Sequence, residues 1–280
     1  MELSVLGPAG TFTDLAAKTY INKQIGQEIT IDYFNSFDAV FNSVTDDNLG
    51  LLPLENQLDG FVLATLEKLK QHPISILDEI EVAVNFGMVA QAAKKSDIKR
   101  LFVQFKTEGQ CTRLINRFKD VEIVTTSSNI QSLNKAVNGN FGDAAIVPET
   151  EVNQSGLSYK VHNVGDQKDN HTRFIVFNRL KPQVIQLTTQ FKASLYITPP
   201  DDGPGTLYNI LGYFVKYGLN LISLISEPTK EKIGVYSFYI EVSGQPEQQA
   251  DLLTVITELA EKSSVHFLGF YAFNRKEREL

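Results

Sequence analysis

The sequence predicts an α/β protein with a two-lobed N-terminal part, residues 1–180, and a smaller C-terminal part, residues 190–275. Short apolar strands alternate with amphipathic helices along the N-terminal part, as in sheets built from parallel strands. After Lys181-Pro182, which marks a linker, the order of predicted elements changes to strand, helix, strand, strand, helix, strand. This βαββαβ order is the ferredoxin-like arrangement, so the two parts are expected to be separate domains.

The elements of the N-terminal part follow one another in a regular order. Strands are predicted at Leu3–Leu6, Ile29–Phe34, Leu49–Leu54, Arg100–Val103, Val121–Thr125 and Ala144–Val147, and helices over residues 14–22, from a Ser36 cap, and over 61–71, 108–119 and 129–138. An extended run from Ile74 to about Val89 carries the chain into a second lobe, residues 79–158. The strand Tyr159–Val164 begins the return to the first lobe, residues 1–78 and 159–180. Two lobes joined by crossing strands enclose a cleft, where small ligands are usually held.

The C-terminal part has fewer and longer elements. Strands are predicted at Phe191–Thr198, Leu219–Ser226, Gly234–Val242 and Val265–Phe273, and helices over residues 203–217 and 246–262.

Composition excludes several classes of function. The 280 residues carry a formal net charge of -7 with scattered Lys and Arg, which argues against a nucleic-acid partner. The single cysteine, Cys111, excludes an intrachain disulfide framework and a cysteine-based zinc site, and it is expected to be a small core residue. No signal-peptide pattern and no apolar run of membrane length occur, so no membrane partner is expected and the cytoplasm is the predicted location.

Three polar clusters lie at the ends of predicted strands. The first is the glycine-containing loop Gly7–Thr13, where Thr11 and Thr13 at a helix start offer hydroxyl and N–H groups to an anion. Thr13 could equally be only the helix cap. The second follows Leu49–Leu54 and contains Glu55 and Asn56, on the same sheet edge as the first loop if the strands are parallel. Its alternative interpretation is an ordinary polar turn.

The third cluster is Asp169–Phe174, which reads D-N-H-T-R-F and runs directly into the apolar residues 175–177. A rigid core strand fixes such groups while the adjoining loop leaves them reachable. Alternatively, Asn170 and Thr172 only satisfy loose backbone groups. Strand alternation points Arg173 away from Thr172, so a structural ion pair is an alternative to a ligand contact. His171 also points away.

These clusters together resemble the signature segments of prephenate dehydratases. The matching segments are Gly7–Thr13 (G-P-A-G-T-F-T), Pro53–Gly60 (P-L-E-N-Q-L-D-G) and Asn170–Phe174 (N-H-T-R-F), in the family's order and spacing. The C-terminal part resembles the ACT regulatory domain, with Pro204–Leu207 in place of its P-G-A-L turn. The resemblance implies a two-lobed catalytic domain like a periplasmic binding protein, followed by an ACT domain. It also implies a homodimer or homotetramer.

The implied reaction is the decarboxylative dehydration of prephenate to phenylpyruvate, a lyase reaction of phenylalanine biosynthesis. Aromatisation of the ring drives it, so no cofactor and no metal are expected. By resemblance, Thr172 assists departure of the hydroxyl group, with Asn56 and Gln110 as further catalytic contacts. The predicted substrate-binding residues are Thr11, Thr13, Glu55, Asn170, Arg173 and Phe174.

The ACT resemblance implies phenylalanine as an effector bound between subunits. Its predicted contacts are Gly205, Thr206, Leu207, Asn220, Leu221 and Ser226. Three departures from the family pattern stand out. Gln57 replaces a serine, Val103–Lys106 (V-Q-F-K) replaces Ser-His-Pro-Gln, and Glu227 replaces an arginine in E-S-R-P. Arogenate as substrate, or a non-catalytic ligand-sensing protein, therefore remain alternative hypotheses, and phenylalanine binding is expected to survive but weaken.

Overall fold

A computed structural model describes residues 1–201, 203–230 and 235–273. The strands are β1 (Glu2–Leu6), β2 (Thr30–Phe34), β3 (Leu49–Asn56), β4 (Gly60–Phe61), β5 (Ser75–Ala83), β6 (Phe86–Ala90), β7 (Arg100–Gln104), β8 (Glu122–Thr126), β9 (Asp143–Pro148), β10 (Tyr159–Val161), β11 (His171–Asn178), β12 (Phe191–Thr198), β13 (Asn220–Pro228), β14 (Tyr236–Gly244) and β15 (Ser264–Ala272). The helices are α1 (Phe12–Lys23), α2 (Phe37–Ser43), α3 (Leu63–Gln71), α4 (Phe105–Gln110), α5 (Thr112–Ile115), α6 (Asn129–Val137), α7 (Glu149–Val152), α8 (Thr206–Lys216) and α9 (Gln249–Ala260). Among these helices, none is both long enough and apolar enough to cross a membrane.

The first lobe is a mixed sheet with the order β2-β1-β3-β11-β5, to which β4 adds on β3. The strand β1 pairs in parallel with β2 and β3, whereas β11 runs antiparallel between β3 and β5. Apolar side chains cover both faces of β11. Phe174 and Val176 pack toward α1, and Ile175 and Phe177 pack on the opposite side with α2 and α3. A strand buried on both faces is a rigid support for the polar residues at its start.

The second lobe is a mixed sheet with the order β10-β6-β9-β7-β8. All of β5 pairs with β11 in the first lobe, and β10 pairs with β6 in the second. The chain therefore crosses between lobes just after Ala83 and returns after Val161. Both crossings lie a few residues later than the predicted positions 79 and 159, because alternation alone does not show which sheet a strand joins.

Two predicted helices differ from the observed ones. The helix predicted over residues 108–119 is broken at Cys111, whose backbone angles of φ −129° and ψ 31° separate α4 from α5. The helix predicted from Phe61 begins at Leu63, because residues 60–61 pair with β3 as the short strand β4. The predicted Ser36 cap is confirmed, since Ser36 Oγ accepts a hydrogen bond from the Ala39 N–H.

The C-terminal domain is a four-stranded antiparallel sheet with the order β13-β14-β12-β15. This order and the chain sequence β12-α8-β13-β14-α9-β15 confirm the predicted ferredoxin-like arrangement. One sheet face packs against α8 and α9 around Phe214, Leu252 and Leu195. The predicted start of the third strand at Gly234 and the predicted end of the domain at residue 275 lie outside the described residues.

The other face of this sheet packs directly on the first lobe. Tyr196, Tyr239 and Tyr271 share one core with residues of the first lobe, and the Tyr196 hydroxyl lies 2.8 Å from the carbonyl oxygen of Leu66. The two parts approach closely at Gly269 in β15, where an added Cβ would lie 2.9 Å from the carbonyl oxygen of Ile76 in β5. Gly269 also has a φ of +118°. A shared apolar core therefore joins the C-terminal domain to the first lobe.

We expect Gly269→Ala to lower the free energy of unfolding by about 2 kcal/mol, because the methyl group meets backbone across this interface at a positive φ. The matched control is Gly212→Ala in α8, where an added Cβ meets no atom within 4 Å. That change is expected to be neutral or slightly stabilising. Denaturant unfolding measures both variants, and wild-type stability of Gly269→Ala would contradict the close interface.

Candidate active site

Two neighbouring strands bring Asn56 and Thr172 together. Asn56 ends β3 and lies directly opposite Thr172 in β11. Its Nδ2 donates to Thr172 Oγ1 and to Asn170 Oδ1, both at 2.9 Å. Its Oδ1 accepts from the N–H groups of Leu58 and Asp59, each at 3.0 Å. Because the carboxamide oxygen is held by two backbone donors, the amide nitrogen has to face the threonine hydroxyl.

The second lobe contributes Gln110 to the same group of side chains. Asn170 Nδ2 donates to Gln110 Oε1 at 3.1 Å, and Gln110 Nε2 donates to Asp59 Oδ2 at 3.3 Å. Asn170 is 2% exposed and Thr172 is 9% exposed, so the hydroxyl lies in a largely dehydrated setting. We call Asn56, Asn170, Thr172 and Gln110 the amide cluster. It joins the two lobes across the predicted cleft.

The position of Gln110 is fixed by the crossing segment between β10 and β11. The Asp166 carboxylate accepts from the Thr112 N–H at 2.7 Å, the Thr112 hydroxyl at 2.6 Å and the Arg113 N–H at 2.9 Å. In return, the Asp166 N–H donates to the Gln110 carbonyl at 2.8 Å. Burial alone would raise the pKa of Asp166, but the hydrogen bonds from Thr112 and Arg113 outweigh it and lower that pKa. Adjacent Cys111 is a buried core residue, as predicted, and burial raises the pKa of its thiol to about 12.

The Gly7–Thr13 loop lies where the lobes approach each other. An added Cβ at Gly10 would lie 2.8 Å from Ile130 in the second lobe. The helix cap is Thr11, whose Oγ1 accepts from the Asp14 N–H, and not Thr13, which is buried within α1. The Gly10 N–H donates to the Asp14 carboxylate at 2.8 Å, so this backbone donor is already used. The predicted anion-binding role of Thr11 and Thr13 stays a prediction.

Arg173 and Glu55 point away from the amide cluster. Arg173 Nε donates to Glu55 Oε2 at 2.8 Å, Nη1 to Glu79 Oε2 at 2.6 Å and Nη2 to Glu241 Oε2 at 2.8 Å. Both residues directly adjoin the cluster in sequence, and strand alternation turns their side chains toward the C-terminal domain. Arg173 therefore makes the structural ion pair that was its alternative interpretation, and Glu55, whose alternative was a polar turn, is one of its partners. Neither side chain faces the amide cluster, where their substrate contacts were predicted.

Phe174 also differs from the predicted substrate contact. Its side chain is 1% exposed and packs with Leu3, Val5 and Ala16 in the core of the first lobe. A register shift between Arg173 and Phe174 in the β11–β3 pairing separates the polar start of the strand from its apolar body. Phe174 thus supports the strand and does not line the cleft.

Comparison with known proteins agrees with this geometry. Residues 3–182 match the family described as prephenate dehydratase. The chain belongs to the prephenate dehydratase family. It is 28% identical over 267 residues to the prephenate dehydratase of Methanocaldococcus jannaschii, covering 94% of this chain and 95% of that protein.

Two solved prephenate dehydratase structures share the fold over nearly the whole chain. One, from Staphylococcus aureus subsp. aureus Mu50, has a TM-score of 0.81 and 28% identity and covers 97% of this chain and 100% of the other. The second, from Arthrobacter aurescens and solved in complex with L-Phe, has a TM-score of 0.81 and 28% identity and covers 98% of this chain and 90% of the other. The mixed α/β fold of the dehydratase family therefore extends beyond residue 182 to include the C-terminal domain.

The predicted effector contacts of this dehydratase-family chain do not meet within one copy. Gly205, in a left-handed conformation with φ +91°, precedes Thr206 and Leu207 at the start of α8. Asn220 and Leu221 begin β13, just after α8 has ended. The 11 residues of α8 span roughly 16 Å, so these two groups lie at opposite ends of the helix. Ser226 lies farther along β13, and Glu227 Oε2 lies 3.0 Å from the Tyr196 hydroxyl at the interface with the first lobe.

Sequence reasoning missed three residues that support the amide cluster. Asp59 lies within the quoted P-L-E-N-Q-L-D-G segment, and only its contact with Gln110 distinguishes it from a turn residue. Lys106 belongs to the V-Q-F-K segment that departs from the family pattern, and its Nζ lies 3.9 Å from Asp59 Oδ2. Asp166 gave no signal, because its role depends on three donors that are more than fifty residues away in sequence.

We expect Asp166→Asn to lower the free energy of unfolding by about 1 kcal/mol at pH 7, because it removes the negative charge that accepts all three hydrogen bonds. The expected loss is no larger because Asp166 is partly exposed and solvent screens its charge. The folded-state pKa is lowered, so this contribution is complete above about pH 5 and is lost as the pH falls through the lowered pKa. The difference between Asp166→Asn and wild type should therefore shrink at about pH 3. Exposed Asp120→Asn is the control, and a difference that is independent of pH would contradict this account.

Proposed function

We propose that the chain catalyses the decarboxylative dehydration of prephenate to phenylpyruvate at the amide cluster, with residues 1–180 as the catalytic unit. The observation that carries this proposal is the hydrogen-bonded set Asn56–Thr172–Asn170–Gln110, which joins both lobes. It occurs in a chain whose residues 3–182 match the prephenate dehydratase family.

The reaction needs a site that holds an anionic ring and helps an oxygen atom leave. The bond between ring carbon 1 and its carboxylate breaks and releases carbon dioxide. The electron pair of that bond enters the ring and expels the oxygen on carbon 4, which takes a proton and departs as water. Negative charge therefore develops on the leaving oxygen, and hydrogen bonds that strengthen as it develops lower the barrier.

Thr172 is the group suited to meet that oxygen. Asn56 donates to Thr172 Oγ1, so the hydroxyl uses a lone pair there and keeps its own proton to donate. A hydroxyl that accepts one hydrogen bond becomes a stronger donor in the next. A threonine hydroxyl is a weak acid, so in this proposal it stabilises the leaving oxygen by hydrogen bonding, and water supplies the proton.

Lys106 is the cation that we propose for the substrate carboxylates. Arg173 is committed to three carboxylates on the other side of β11. Lys106 approaches from the second lobe, and its Nζ and Gln110 Nε2 both face Asp59 Oδ2. Prephenate carries two carboxylates and no amino group, whereas arogenate carries an additional cation. A lysine at this position therefore favours prephenate over arogenate.

Regulation by phenylalanine is the proposed role of the C-terminal domain, which we assign as an ACT domain. The relative from Arthrobacter aurescens was solved in complex with L-Phe. In this chain β13 is an edge strand, and Ile222 and Leu224 on β13 and Tyr208 and Val215 on α8 are exposed. A second copy pairing along β13 would cover these apolar side chains. It would also bring the start of one α8 to the start of the other β13, which supports a homodimer or homotetramer. The cytoplasmic location stays a prediction.

Thr172→Ala is expected to reduce kcat by on the order of 100-fold, because one hydrogen bond to the leaving oxygen is lost. Thr172→Ser is the matched control, since it keeps the hydroxyl, and should retain most of the activity. Phenylpyruvate absorbance with purified protein and prephenate measures both. A Thr172→Ala enzyme within about threefold of wild type would refute the role of Thr172. Wild-type protein that binds prephenate without turnover would favour the ligand-sensing alternative.

Lys106→Met is expected to raise KM for prephenate about tenfold with a smaller change in kcat, because it removes a partly exposed charge that acts mainly in binding. Lys119→Met, an exposed lysine in the loop before β8, serves as the control. Steady-state kinetics of the two variants decides the question. An unchanged KM in Lys106→Met would show that another group binds the carboxylates.

A further inference from the structure

An ion cluster lies buried between the first lobe and the C-terminal domain. We call it the interdomain ion cluster; its members are Arg173, Glu55 and Glu79 from the first lobe and Lys192 and Glu241 from the C-terminal domain. The side chains of Glu241 and Lys192 are 0% and 4% exposed. Nothing in the reaction at the amide cluster uses these five groups directly, since all of them lie on the other side of β3 and β11.

Arg173 is the hub of this cluster. Its guanidinium bonds Glu55 through Nε, Glu79 through Nη1 and Glu241 through both Nη1 and Nη2. Lys192 Nζ bonds both oxygens of Glu79, at 2.8 and 2.9 Å. Burial alone would raise the pKa of Glu241, but the positive charges of Arg173 and Lys192 lower it, so Glu241 stays ionised. Both cluster members from the C-terminal domain, Lys192 and Glu241, thus form ion pairs with residues of the first lobe.

The interdomain ion cluster and the amide cluster occupy neighbouring positions in β3 and β11. Arg173 follows Thr172 in β11, Glu55 precedes Asn56 in β3, and the two strands pair Thr172 with Asn56 and Arg173 with Glu55. The regular ladder is interrupted immediately afterwards, between Arg173 and Phe174. At this irregular strand end, side-chain bonds contribute to the spacing of the two strands. The bond from Arg173 to Glu55 therefore joins the same two strands one rung away from the hydrogen bond between Asn56 and Thr172.

We propose that Arg173 is a positioning residue through which Glu241 of the C-terminal domain sets the Asn56–Thr172 geometry, a proposal that rests on the function assigned above. Three carboxylates compete for one guanidinium, so the direction of Arg173 depends on all of them. An apolar interface would stabilise the fold at least as well as buried ions, so stability alone does not account for this arrangement. The ion pairs instead connect Glu241, through Arg173 and Glu55, to the two strands that carry Thr172 and Asn56.

The link predicts what happens when Glu241 loses its charge. Glu241→Gln keeps Oε1 as an acceptor for the Tyr239 hydroxyl and for Arg173 Nη1, at 3.2 Å. It replaces Oε2, the partner of Arg173 Nη2, with an amide NH2 group that cannot accept. The guanidinium then turns toward Glu55 and Glu79, and the start of β11 shifts relative to β3. The wild-type cluster holds two cations and three carboxylates, and the variant leaves two of each. The buried charges are then balanced, so the variant is expected to fold.

Steady-state kinetics and side-chain amide NMR of Glu241→Gln test the proposal. The expected result is a roughly tenfold loss of kcat with KM for prephenate within about threefold of wild type, together with shifted Asn56 side-chain amide signals. Glu258→Gln is the control, because Glu258 forms an exposed pair with Lys216 on the helix face of the same domain. Glu258→Gln should change neither kcat nor the Asn56 side-chain amide signals.

A double-mutant cycle with Arg173→Lys separates positioning from general destabilisation. If Glu241 acts through Arg173, adding Glu241→Gln to Arg173→Lys lowers kcat no further, whereas independent structural damage would be additive. Wild-type kcat and unshifted Asn56 signals in Glu241→Gln, or additive losses in the cycle, would overturn the proposal. Shifted Asn56 signals in a protein that does not convert prephenate would support the link while rejecting the proposed reaction.

Discussion

The pairing of β11 with β3 is the constraint on which the rest of this molecule depends. It sets Thr172 opposite Asn56 and Arg173 opposite Glu55. Because side chains alternate along a strand, the first pair faces the cleft and the second faces the C-terminal domain. Two adjacent rungs of one ladder thus serve two purposes, a polar site on one side and an interdomain contact on the other. The central place of β11 in its sheet, with apolar packing on both faces, makes this arrangement rigid.

The second lobe completes the site with few contacts. Gln110 reaches Asn170 and Asp59, and Asp166 in the crossing segment holds the turn that carries Gln110. A cleft closed by side-chain amides, with part of its wall supplied by a crossing segment, can open when a small number of hydrogen bonds break. Substrate entry and product release need such an opening.

Much of the fold and the outline of the site could be predicted from the sequence. Apolar runs located the strands, and the βαββαβ order defined the C-terminal domain. Polar residues at the strand ends marked the segments that hold Asn56 and Thr172, and the family resemblance implied their roles. Alternation correctly turned Arg173 away from the cleft. Its partners Glu79 and Glu241 could not be predicted, because they are 94 and 68 residues away and join it only when the domains pack. The helix break at Cys111 could not be predicted for the same reason. The Asp166 carboxylate, which accepts hydrogen bonds from the turn after the break, lies more than fifty residues later in the sequence.

The most direct test of the account is turnover by the wild-type protein. Purified protein, dialysed against a chelator, is mixed with prephenate, and carbon dioxide and phenylpyruvate are measured together. The account predicts that both products form in equal amounts without added metal or nucleotide, and that arogenate is converted more slowly. Tight binding of prephenate with no product, or conversion of arogenate in preference to prephenate, would contradict it.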